Sequence, residues 1–266
     1  MSYSFPFCEY QNFMGIWSWI GGVGSWMLIK DNRTSAFAGT VPSADTPATQ
    51  IPYSPIFHTL YKSGQISPLF SLAILRASSG PAGYLSLGGV PPVSFTQPWS
   101  STPILITTID GYPKKYDFYT ININSVVLNG VSVPSSGGKI QYIVDSGTTL
   151  NYYPTAIADA INAAFVPPAV YSEEDGAYLV DCNAKAPKTG VKIGGTTFDL
   201  NAADLILDAG TDENGNEVCI SGIDDGGSNT SEDVYILGDV FLKNVVAVFD
   251  VGATEFRVAA HEYYSI

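Results

Sequence analysis

The residue best placed to do chemistry in this chain is Asp145. Residues 140–144, Ile-Gln-Tyr-Ile-Val, read as a largely apolar strand that delivers Asp145 directly into Ser146-Gly147-Thr148-Thr149. Gly147 permits a tight backbone loop, and hydroxyls follow the acid at one, three and four residues, from where they can donate to a carboxylate. A carboxylate held this way is suited to take or give a proton. Asp-Ser-Gly by itself is also an ordinary turn sequence, so its meaning depends on the elements around it.

Those elements are short and mostly extended. After the loop, Pro154 suits the first turn of a helix in which Ile157, Ile161 and Phe165 share one face at four-residue spacing. Upstream, residues 55–61 read as a short helix ended by Gly64, and residues 69–75 and 84–90 as strands, the second stopped by Gly88-Gly89. Pro91, Pro92, Pro98 and Pro103 then interrupt the chain. Residues 116–127 alternate with an imperfect period of two, and Asn129-Gly130 is a hairpin turn signal before Val131-Ser132-Val133.

Composition bounds the rest. With 266 residues, 45% hydrophobic and 14% charged, the chain can build a real core, which excludes disorder as its main state. Its 26 Gly, 17 Pro and 16 Tyr favour a mainly β fold over a helical bundle. Twenty-five acidic against 12 basic groups give a net charge of −13, which repels phosphate backbones, so no nucleic-acid partner is expected. Such a chain sheds charge in acid, where its self-repulsion is smallest.

Cysteine usage points to an oxidising compartment. Cys8, Cys182 and Cys219 make an odd count, and with only His58 and His261 beside them no metal cluster and no cofactor are expected. Cys182 and Cys219, separated by 37 positions around a polar, Gly-rich segment, are either one disulfide of a secreted chain or two unpaired buried thiols. Sequons at Asn32 and Asn229 are glycosylation candidates and agree with secretion. His58 reads as a packed or solvent-facing residue, with neither a nucleophile nor a metal partner near it.

The first 36 residues differ in character. Residues 13–29 carry no charge and three of the four tryptophans, yet Glu9 is the only charge before them, so the basic flank of a secretory signal is missing. Four glycines and a length of only 17 residues also make a spanning helix marginal. Ala36-Phe37-Ala38 has the form of a cleavage site, but Lys30, Asp31 and Arg33 intervene. A signal or anchor stands here against buried strands or a start that is not native to the fold.

Taken in order, the motifs resemble those of the pepsin-like aspartic peptidases. Ile143-Val144-Asp145-Ser146-Gly147-Thr148-Thr149-Leu150, followed by Tyr153-Pro154, is similar to the catalytic loop of that family's C-terminal lobe. Tyr235-Ile236-Leu237-Gly238-Asp239-Val240-Phe241-Leu242, then Val246-Ala247-Val248-Phe249-Asp250, is similar to its closing segment, in which two apolar residues and a Gly cross behind the aspartate loop. Ser54-Pro55, Gly64-Gln65-Ile66 and Leu87-Gly88-Gly89-Val90 resemble the end of the N-terminal lobe. Cys182 and Cys219 fall where that lobe carries a disulfide, which leaves Cys8 free. The resemblance implies a pepsin-like β-barrel lobe over residues 111–266, a remnant of the N-terminal lobe and interdomain sheet over 37–110, and an atypical segment over 1–36.

The function implied is aspartic-type endopeptidase acting on polypeptides, in a secreted, extracellular or acidic vacuolar setting. In that family two carboxylates share one proton: the ionised one takes a proton from a water as it attacks the scissile carbonyl, and the protonated one hydrogen-bonds the carbonyl oxygen. Asp145 would be the second-lobe catalytic acid, Gly147 and Thr148 its support, Ser146 the grip on the facing loop, and Thr148 and Thr149 holders of peptide backbone. The sequence contains one Asp-Ser-Gly and no Asp-Thr-Gly; Asp45-Thr46-Pro47 has Pro where Gly is needed. The expectation is therefore a truncated form that is inactive alone and needs the missing N-terminal lobe. A non-catalytic binding or inhibitor module on the same scaffold, and a homodimer pairing two copies of Asp145, are the alternatives.

Overall fold

A computed structural model describes residues 3–8, 56–76, 81–108, 114, 116, 118–133, 140–228, 230 and 233–261. The uncharged N-terminal stretch, Asn32 and Asn229 lie outside the described residues, as does the side chain of Cys8.

The chain turns often and builds mostly strands. Strand β1 (Tyr3–Cys8) is followed by helix α1 (Ile56–Lys62), β2 (Leu69–Ile74), β3 (Pro81–Leu87) and β4 (Ser100–Pro103). Next come β5 (Thr120–Asn122), β6 (Ser125–Leu128), β7 (Val131–Ser132), β8 (Gln141–Val144), β9 (Asn151–Tyr153) and α2 (Thr155–Asn162). The second half continues through β10 (Val170–Ser172), β11 (Ala177–Val180), β12 (Thr189–Ile193) and β13 (Thr196–Leu200). A 3-10 turn (Ala202–Asp204) leads to β14 (Ile206–Thr211), β15 (Glu217–Ser221) and β16 (Ile223–Asp225). The chain closes with β17 (Tyr235–Leu237), α3 (Asp239–Leu242), β18 (Val245–Asp250) and β19 (Glu255–Ala260).

Four sheets result among the described residues. A six-stranded sheet, β1-β3-β2-β18-β19-β4, joins early and late parts of the sequence. Its core stacks Phe70 on Phe249 with ring centroids 4.7 Å apart, and Tyr119 and Phe256 meet Phe249 edge-on. The sheet that carries the loop runs β16-β9-β17-β8-β5. Strands β8 and β9 are consecutive in sequence yet do not pair: β17 inserts between them, parallel to β8 and antiparallel to β9. Residues 145–150 must therefore span the gap around the end of β17. The remaining sheets are β13-β12-β6-β7 and β10-β11-β15-β14, and a disulfide ties Cys182 to Cys219 in the second of them.

Local reading and structure agree where sterics decide. Asn129 and Gly130 both adopt positive φ, 51° and 84°, the conformation a two-residue hairpin turn between β6 and β7 requires. Helix α2 buries Ile157 and Ile161 fully. Pro154 is its N-cap, one position earlier than expected, and Phe165 is buried beyond the helix end. The imperfect alternation over 116–127 has a physical cause: β5 and β6 belong to different sheets, so the chain changes sheet at Ile123-Asn124.

Candidate active site

Asp145 follows the last residue of β8 and is half-buried. Alternation along the strand places it on the same face as Ile143. Its backbone N–H donates to the carbonyl of Leu237 at 3.1 Å, tying the loop to the end of β17. The carboxylate accepts on both oxygens: from the Gly147 N–H at Oδ1 (3.0 Å) and from the Thr148 hydroxyl at Oδ2 (2.8 Å). Ser146 and Thr149 lie half-buried in the same loop, and the Thr149 carbonyl is engaged by the Val240 N–H at 3.1 Å.

The loop is clasped from behind by three successive amides. Gly238 N–H donates to Asn151 Oδ1 at 2.8 Å, Asp239 N–H to the Thr148 carbonyl at 2.8 Å, and Val240 N–H to the Thr149 carbonyl. A Cβ on residue 238 would collide with the carbonyl oxygens of Leu150 and Thr148, so only glycine lets the two segments approach this closely. The clasp is anchored in turn by Asn244, whose Nδ2 donates to the Val240 carbonyl and to Asp204 Oδ2, both at 2.8 Å. Arg76, itself partly exposed, forms an ion pair with the buried Asp204 by gripping both its oxygens, and also reaches Asn244 Oδ1.

Two of these side chains escape a reading of motifs. Asn151 is fully buried; its only sequence signal is a weak strand former set in an apolar run. Asp239 is the acid nearest the clasp. Burial pushes its carboxyl up to about 8, with the negative charge of Asp145 acting in the same direction and Lys243 opposing it. Oxygen Oδ1 of Asp239 is buried, and with its carboxyl raised this far the group keeps its proton in acid. His58 is buried against Phe57 and Tyr61. Among the described residues no group of three His, Cys, Asp or Glu side chains is placed to hold a metal ion, and no helix is long and apolar enough to cross a membrane.

A mainly β fold, an aspartate at a strand tip with donors on both oxygens, and a glycine clasp at the end of a strand that is parallel to one neighbour and antiparallel to the other match the motifs and fold of the pepsin-like aspartic protease family. The chain belongs to the eukaryotic aspartyl protease family, which it matches over residues 39–261. A probable aspartic-type endopeptidase of Aspergillus fumigatus is 56% identical over 238 residues, covering 86% of this chain and 54% of the relative. Pepsin A of Sus scrofa is 26% identical over 200 residues, 74% of this chain and 47% of its own length. The fold is similar to the crystal structure of an aspartic proteinase from Irpex lacteus, with a TM-score of 0.62 at 23% identity, covering 82% of this chain and 64% of that one. The chain spans about half the length of the curated relatives it matches.

Proposed function

We propose that this chain supplies one catalytic half of an acid endopeptidase acting on polypeptides, with Asp145 as one of the two carboxylates. The observation that carries the reading is the setting of that carboxylate: donors from Gly147 and Thr148 hold its oxygens in place at a strand tip. In the complete site a second aspartate faces it, and the pair holds one proton between them. The ionised member takes a proton from water, the water oxygen bonds the scissile carbonyl carbon, and the other member gives its proton to the carbonyl oxygen. Collapse of the tetrahedral intermediate expels the protonated amine and restores the shared proton. Ser146 grips the facing loop, and Thr148 and Thr149 hold substrate backbone. On this reading residues 111–266 correspond to the lobe that carries Asp145, and 37–110 to a remnant of the first lobe and the interdomain sheet. Disulfide-bonded and acidic, the protein would work in a secreted or acidic vacuolar setting.

One carboxylate cannot be both acid and base to the same water, so the 266-residue chain alone is expected to show no pepstatin-sensitive cleavage of denatured globin at acid pH. Joined to a first lobe bearing Asp-Thr-Gly it should cleave, and Asp145→Asn in that enzyme should remove nearly all activity, as loss of one member of a catalytic unit does. Full activity of the Asp145→Asn enzyme would refute the assignment. Cleavage by the chain alone, with a rate rising as the square of concentration, would favour a homodimer. An inert two-lobed form that binds peptide tightly would favour a binding module.

A further inference from the structure

The side chain of Asn151 has no exposed surface and lies directly behind the loop that carries Asp145. Its Oδ1 accepts the Gly238 N–H at 2.8 Å, and its Nδ2 donates to the Tyr153 hydroxyl at 3.3 Å. The amide has one sensible orientation, because a backbone N–H can be met only by its oxygen. Of the three donors in the clasp, those of Asp239 and Val240 find backbone carbonyls, which any sequence would supply. Only the Gly238 donor depends on a side chain. That bond is buried, so water cannot replace its acceptor, and the Thr148 and Leu150 carbonyls crowd the space a Cβ of residue 238 would take. A leucine at 151 has the same branched shape, though it is bulkier, and would leave that N–H buried without an acceptor.

We infer that Asn151 is a positioning residue for Asp145. It fixes Gly238 against the back of the loop; the Asp239 and Val240 bonds then hold the loop backbone, and with it the Gly147 and Thr148 donors on the carboxylate. The catalytic meaning rests on the reading of Asp145 as the active acid, whereas the mechanical role can be measured without it.

Amide hydrogen exchange on the whole chain at acid pH, read by NMR, separates the two. In Asn151→Leu the amides of Asp145, Gly238, Asp239 and Val240 should exchange roughly tenfold faster, while Val191 and Val248 in other sheets change by less than about twofold. Asn151→Asp, protonated in acid and still offering an acceptor, should restore protection to within about threefold of the parent. Unchanged amides in Asn151→Leu, a uniform rise across all sheets, or no recovery in Asn151→Asp would overturn the inference. In the two-lobed enzyme, Asn151→Leu should lower kcat with KM within about twofold. Faster exchange with kcat unchanged would sink the positioning role. An enzyme inactive even with Asn151 in place would instead sink the catalytic reading and leave the exchange result standing.

Discussion

Replacing Asp239 by asparagine should flatten the dependence of stability on pH. The folded-state carboxyl ionises at about 8, against the ordinary 3.8 that an unfolded chain presents. Below the lower value both states are protonated and the group costs nothing. As pH rises between the two values the unfolded chain releases its proton and the folded one does not, so stability falls with pH. At about 1.4 kcal/mol per pH unit the loss by pH 7 comes to about 4 kcal/mol, a large share of a typical domain's 5–15 kcal/mol. General self-repulsion from the net charge of −13 also grows with pH, but it acts nearly equally on parent and variant and cancels in their difference. Asparagine keeps the shape and is neutral at every pH. Urea unfolding followed by circular dichroism at pH 4, 5.5 and 7 should therefore show the variant gaining on the parent by about 4 kcal/mol from the first pH to the last. A gap that stays constant across the three would refute the buried, proton-bearing carboxyl.

Three further outcomes follow from the same contacts. Arg76→Met should destabilise by about 3–5 kcal/mol in denaturant titration, because it strands the buried charge of Asp204, and Asp204→Leu added to it should recover most of that. Gly238→Ala, which drives a methyl group into two backbone carbonyls, should cost about 3 kcal/mol or more and show it as a lowered Tm. Cys182→Ser with Cys219→Ser opens a loop of sequence separation 37 and should cost about 4 kcal/mol in the chain-entropy account, measured against the oxidised parent.

Much of the local structure can be read without coordinates, because short-range sterics decide it. The Asn129-Gly130 turn, the apolar run of β8 and the helical face of Ile157 and Ile161 each follow from backbone preference and periodicity within a few residues. The loop composition from Asp145 to Thr149 likewise marks a supported carboxylate, and resemblance brings Leu237-Gly238 behind it. Tertiary structure alone decided which atoms meet. The insertion of β17 between β8 and β9, the bond from Gly238 to Asn151 across 87 positions and the pair of Arg76 with Asp204 across 128 have no local signature. An asparagine in a strand and an aspartate after a glycine look like many others. Only when the chain closes do they lose water together, and that loss turns Asn151 into the partner of one amide and keeps a proton on Asp239.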